Sequence, residues 1–230
     1  MPSELRIFVP VAIQAIMNNL VPRLETATGA SVTQLVDLNP AIPERISAGE
    51  AYDIGLTNPP YAKGLIETGN ADEASHRAFG RVPLAVGRKE ETEGSIGKDV
   101  ETIRALLHEA DSIAYTGAGT SGRTYLDVIE RLDLSTALLP KSLAMGGGEP
   151  VASVAAGQVE LAVAPLTTVL STPGVVPAAI LPEELGTHID MSIFLSRTSQ
   201  ASAASALEFL TARELDDELA AAGVLRFELD

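Results

Sequence analysis

Apolar runs and amphipathic helices alternate along this chain, and that alternation restricts the fold more than any other feature. LRIFVP is a short apolar run with β-branched content, the pattern of a buried strand. Ile13, Ile16, Met17, Leu20, Val21 and Leu24 follow at steps of three and four, which predicts an amphipathic helix. Pro22 inside it predicts a kink or a division, and Gly29 predicts its end. SVTQLVD reads as a second strand, IPERISAG as a short helix stopped by Gly49, and residues 53–57 as a third strand. Strand, helix, strand, helix, strand implies a parallel sheet with helices on its faces.

The rest of the chain keeps the same grammar. FGRVPLAVGRK reads as a strand, VETIRALLHEAD as a helix with Ile103, Leu106, Leu107 and Ala110 inward, and SIAYT as a strand. TYLDVIERL is a helix burying Leu126, Ile129 and Leu132. LLPKSLAM and VELAVAP read as strands around the short helix PVASVAAG, followed by strands GVVPAAILP and HIDMSIFLS. Residues 199–223 are Ala-rich and helical in pattern. Two alternating α/β units emerge, with the chain crossing between them near residues 80–88 and 184–194.

Composition narrows the chemistry. With 31 acidic against 16 basic residues the net charge is −15, a field that repels phosphate backbones and argues against a nucleic-acid partner. There is no Cys, so thiol catalysis and disulfides are excluded, and His76, His108 and His188 lack metal-ligand spacing. No metal or cofactor is expected. No run of apolar residues is long enough to span a membrane. MPSELRIFVPVA lacks the pattern of a signal peptide, which points to the cytoplasm, with the periplasm as the alternative if a leader has been removed.

The stretch YTGAGTSGRTYLDVIERL joins a strand to a helix through small residues. Gly119, Thr120, Ser121 and Gly122 offer backbone N–H groups and hydroxyls at a helix N-terminus, and Arg123 adds a planar fork of donors. Such an arrangement holds an anion. The alternative is an ordinary strand-to-helix turn capped by Thr120 or Ser121.

In order and spacing, LRIFVPVAIQAIMNNLVPRLETATG, IPERISAGEAYDIGLT, GRVPLAVGRK, SIAYTGAGTSGRTYLDVIERL, EPVASVAAGQVELAVAP and TARELDDELAAAGV resemble the molybdate-binding group of the type 2 periplasmic binding proteins. The resemblance covers nearly the whole chain. It implies an α/β fold of two Rossmann-like lobes joined by two hinge strands, with a ligand cleft between them. Lobe 1 would be residues 1–83 plus 185–230, and lobe 2 residues 84–184. Loops FVPVAI, DLNPAI, TGAGTSGR, AMGGGEP and APLTTV would face the ligand. The implied ligand-binding residues are Val11, Ala12, Asn39, Gly119, Thr120, Ser121, Gly122, Arg123, Gly147, Gly148 and Thr167.

This chain departs from the pattern of similar molybdate binders, which place Ser where Ala12 stands and again where Asn39 and Pro40 stand. Ala and Pro supply no side-chain donor, and Pro has no N–H. The expectation is therefore a small di- or tricarboxylate rather than a metal oxyanion. Some proteins that resemble this superfamily are enzymes, aconitate isomerase among them, so proton transfer on a bound unsaturated polycarboxylate is a second implied activity. Tyr115, Glu149 and His188 are its candidate proton carriers. The alternative is a non-catalytic binding protein or sensor, with an ABC transporter permease as partner only if the chain is exported.

Overall fold

The computed structural model describes residues 3–92 and 94–229. They divide into two units. Unit 1 is the chain up to Arg81 together with Asp190 onward, and unit 2 is Val82–Ile189. The sequence reading set these crossings after residues 83 and 184; the second falls later because Ile189 packs into the unit 2 core.

In unit 1, β1 (Glu4–Pro10) leads through a 3-10 turn at Val11–Ile13 into α1 (Gln14–Thr28), β2 (Ser31–Asp37), α2 (Ala41–Ser47), β3 (Ile54–Thr57) and α3 (Pro59–Glu67). β4 (Arg77–Lys89) then carries the chain into unit 2. There α4 (Val100–Glu109), β5 (Ile113–Thr116), α5 (Thr120–Arg131), α6 (Ser135–Leu138), β6 (Ser142–Met145) and α7 (Glu149–Ala155) follow. Next come β7 (Leu161–Pro165), α8 (Leu166–Ser171) and β8 (Val175–Ile180). β9 (His188–Leu195) brings the chain back to unit 1, which ends with α9 (Ala201–Thr211) and α10 (Asp216–Ala221).

The predicted parallel sheets are present. β1 pairs in parallel with β2, from Glu4↔Ser31 to Pro10↔Asp37, and with β3 through Ile7↔Ile54. β9 joins antiparallel to β3, setting Ser192 opposite Thr57. In unit 2, β5 lies between β6 and β7, parallel to both, while β4 runs antiparallel to β7 and β8. Each sheet buries a separate core. Phe8, Ile42, Ile46, Tyr52, Leu65 and Phe194 pack together in unit 1, with the Tyr52 ring 5.6 Å from Phe8 and 6.2 Å from Phe194, both edge-on. Leu84, Ile103, Leu107, Ile113, Tyr125 and Val128 are among those filling unit 2.

Three local expectations change. α1 runs undivided through Pro22. Its last turn is tied instead by side chains: Thr26 Oγ1 donates to the Pro22 carbonyl at 2.8 Å and Thr28 Oγ1 to Leu24 at 2.8 Å. LLPKSLAM is a strand only over Ser142–Met145, because Leu139–Lys141 forms a 3-10 turn with Pro140 at its start. α3 lies in a stretch with no predicted element, since Pro59, Pro60 and Gly64 mask its helical spacing.

Candidate functional site

Parallel strands end together, so the loops that leave them gather at one edge of the sheet. In unit 1 the aligned ends are Pro10 of β1, Asp37 of β2 and Thr57 of β3. The segments that follow hold Val11 and Ala12, then Asn39, then Asn58. In unit 2 the aligned ends are Thr116, Met145 and Pro165, followed by Gly119–Arg123, by Gly147 and Gly148, and by Thr167. Gly117 N–H donates to the Met145 carbonyl at 2.9 Å and ties the first two of these loops together. The structure thus brings the expected ligand residues together within each unit.

Six helical segments start at these two edges, and in none does the side chain of the cap residue itself bond the first turn. The unit 1 cap positions are Pro10, Pro40 and Asn58, and those of unit 2 are Gly119, Gly148 and Pro165. α4 starts elsewhere and has an ordinary cap, Asp99 accepting from Thr102 N–H at 2.8 Å. α9 and α10 also lack side-chain caps, so the distinguishing feature is convergence at a strand edge rather than absence alone. Uncapped helix N-termini present N–H groups and a partial positive charge, which favour an anion.

The unit 2 loop is built differently from the sequence reading. The helix starts at Thr120, so Thr120, Ser121, Gly122 and Arg123 form its first turn, and the cap is Gly119 rather than Thr120 or Ser121. Ser121 is buried and Arg123 exposed. Gly122 is required by packing: a Cβ there would lie 1.8 Å from the Thr116 carbonyl oxygen. Gly148 starts α7 at φ +79°, a left-handed conformation that glycine adopts without strain. Thr167 is buried, 4 % exposed, in the first turn of α8.

The candidate proton carriers divide. Tyr115 lies against the unit 2 core with its ring 5.3 Å from that of Tyr125. Glu149 is the first residue of α7, and its carboxylate accepts from the Gly146 N–H at 2.6 Å. His188 is the first residue of β9, half-buried, two residues before the chain re-enters unit 1.

Sequence reasoning missed three contributors in unit 1. Thr57, fully buried, donates from Oγ1 to the Asn39 carbonyl at 3.2 Å and to Asn39 Oδ1 at 3.3 Å. Asn58 donates from Nδ2 to the Asp190 carbonyl at 2.7 Å. Arg45, in the last turn of α2, is a clamp. Its Nε and Nη2 hold both oxygens of Glu50 at 2.7 Å, its Nη1 holds Asp37 at 2.9 Å, and its guanidinium lies 4.9 Å over the Phe8 ring. That pairing holds the Glu50 carboxyl below the usual carboxylate range and pushes Arg45 up. The one available signal was LTNPP, a strand end followed by Asn-Pro, which marks a helix start at a strand edge.

The sequence matches the family described as bacterial extracellular solute-binding proteins over residues 5–224. No curated protein matches it. Among solved structures, the periplasmic molybdate-binding protein of Azotobacter vinelandii aligns with a TM-score of 0.79 at 15 % identity, over 96 % of this chain and 98 % of that one. PEB3 of Campylobacter jejuni aligns with a TM-score of 0.72 at 13 % identity, over 97 % and 100 %, and has also been solved with L-phospholactate bound. The sulfate-binding protein SubI of Mycobacterium tuberculosis aligns with a TM-score of 0.73 at 13 % identity, over 96 % and 86 %. At these identities the likeness establishes the fold, that of the type 2 periplasmic binding proteins.

Proposed function

This chain belongs to the bacterial extracellular solute-binding proteins, and from that premise we propose that it binds a small organic anion through backbone N–H groups and does not transform it. The observation that carries this reading is the convergence of uncapped helix N-termini at the strand edges of each unit. The named ligands of the similar structures, molybdate, sulfate and L-phospholactate, are all small anions.

A di- or tricarboxylate suits these loops better than a bare tetrahedral oxyanion. Ala12 and Pro40 offer no side-chain donor. Arg123, in the first turn of α5, supplies a planar donor pair matched to a carboxylate. Isomerisation of the bound acid needs a proton carrier at the reacting carbon. Tyr115 is packed on Tyr125 and Glu149 is engaged by its own loop, which leaves His188 alone among the three candidates and favours binding without turnover. Family membership supports the exported alternative, with an ABC transporter permease as partner.

The test is a thermal-shift and calorimetric panel of citrate, cis-aconitate, succinate, phosphate, sulfate and molybdate. A ligand at 100 times its Kd adds about 2.7 kcal/mol, a rise on the order of 5–10 °C for a chain of this size. A rise with a carboxylate and no proton exchange by NMR in deuterated buffer is expected. A response to molybdate alone overturns the organic-anion reading, and exchange at carbon overturns the non-catalytic one.

A further inference from the structure

Asn39 is 5 % exposed, in the loop between β2 and α2. Its carbonyl and Oδ1 both face the hydroxyl of Thr57. Thr57 ends β3 and is fully buried, so its rotamer is set by packing. With Oδ1 turned to Thr57, the amide Nδ2 points the other way. Among the described residues no group accepts from that Nδ2. The Nδ2 is not among the buried polar atoms that lack a partner, so it reaches solvent, where an acceptor can meet it.

The start of the loop is fixed as well. Asp37 Oδ1 accepts from Leu38 N–H at 2.8 Å, and Asp37 Oδ2 accepts from Arg45 at 2.9 Å. The loop therefore has one anchor before Asn39 and another on it.

We propose that Thr57 is a positioning residue that holds the Asn39 amide with its Nδ2 presented to a carboxylate oxygen of the ligand. The assignment rests on the anion-binding reading above. It makes the Asn39 donor fixed before binding, which saves the ordering of a mobile amide on complex formation. The same geometry selects for acceptors: a cationic or donor-only ligand would meet an unpaired N–H.

The experiment compares the wild type with Thr57→Val, Thr57→Ser, Asn39→Ala and the Thr57→Val/Asn39→Ala pair. Two readouts are taken: calorimetric titration with the six probes named above, and the side-chain amide resonances of Asn39 without ligand. Thr57→Val weakens binding of the responding probe about tenfold, Thr57→Ser restores most of it, and the double variant binds no more weakly than Asn39→Ala alone. The Asn39 amide resonances shift in Thr57→Val before any ligand is added. Wild-type affinity in a folded Thr57→Val, additive losses in the double variant, or unmoved Asn39 resonances overturn the proposal. If the wild type binds none of the six probes, the anion-binding reading fails. The amide spectrum then decides the Thr57–Asn39 link by itself, unmoved resonances overturning it.

Discussion

Arg81 grips both carboxylate oxygens of Asp190, Nε to Oδ1 at 2.7 Å and Nη2 to Oδ2 at 3.0 Å. These are the last residue of unit 1 before the first crossing and its first residue after the second. The Arg81 guanidinium also lies 5.4 Å over the Phe227 ring, and its backbone N–H and carbonyl bond to Leu225. Asp190→Asn keeps the shape and removes the charge. It is expected to lower unit 1 stability by about 1.5–3 kcal/mol, the range for a hydrogen bond to a charged group. A urea melt followed by probes in each unit checks this; loss confined to unit 2 would contradict it.

Arg45 cannot be replaced by Lys without loss. A single ammonium reaches neither both Glu50 oxygens nor Asp37 at once, and it lacks the flat face presented to Phe8. Arg45→Lys is expected to cost about 1–2 kcal/mol, measured by chemical denaturation. A neutral outcome would reduce the clamp to an exposed ion pair of little value.

Gly122→Ala and Gly148→Ala separate two reasons for glycine. The first places a Cβ 1.8 Å from the Thr116 carbonyl, so strand and helix must part, at a cost on the order of 3 kcal/mol. The second meets nothing within 4 Å and carries only the strain of its positive φ, about 1 kcal/mol. Equal melting temperatures for the two variants would show that the α5 start yields easily.

Acid should weaken the fold in two stages. Burial, and then the nearby Lys63 charge, lower the pKa of His76 below its ordinary 6.5, and no described residue hydrogen-bonds its buried Nε2. The folded chain resists a proton that the unfolded chain accepts, so stability is whole above pH 6.5 and falls below it. Glu50, held down by Arg45, contributes above its ordinary 4.5, and that contribution is lost as pH falls through its lower folded value. Urea midpoints measured from about pH 3 to 8 should show both stages, with His76→Gln removing the first and Glu50→Gln reducing the second, to which Asp99, held down by the bonds from Thr102, also contributes.

What could be read in advance follows the range of each interaction. Strand and helix alternation is written in spacings of two, three and four residues, so β1, α1, β2, α2 and β3 were all predicted. The strand-edge loops followed from it. Thr57 meets Asn39 across 18 residues and Asn58 meets Asp190 across 132, pairings that no local pattern encodes. Arg45 looked like any helix-surface cation, because its partners come from the end of β2 and from the loop before β3. α3 escaped notice because two prolines and a glycine in nine residues imitate a turn.

Unit 2 is one unbroken stretch of chain, whereas unit 1 is written in two pieces that flank it. β3 waits for β9 as its antiparallel neighbour, Arg23 waits for Glu218, and Arg81 waits for Leu225. During synthesis from the N-terminus, Val82–Ile189 emerges as one continuous stretch. The opening βα units emerge ahead of these partners, and their sheet keeps an open edge at β3 until the carboxyl-terminal segment is delivered.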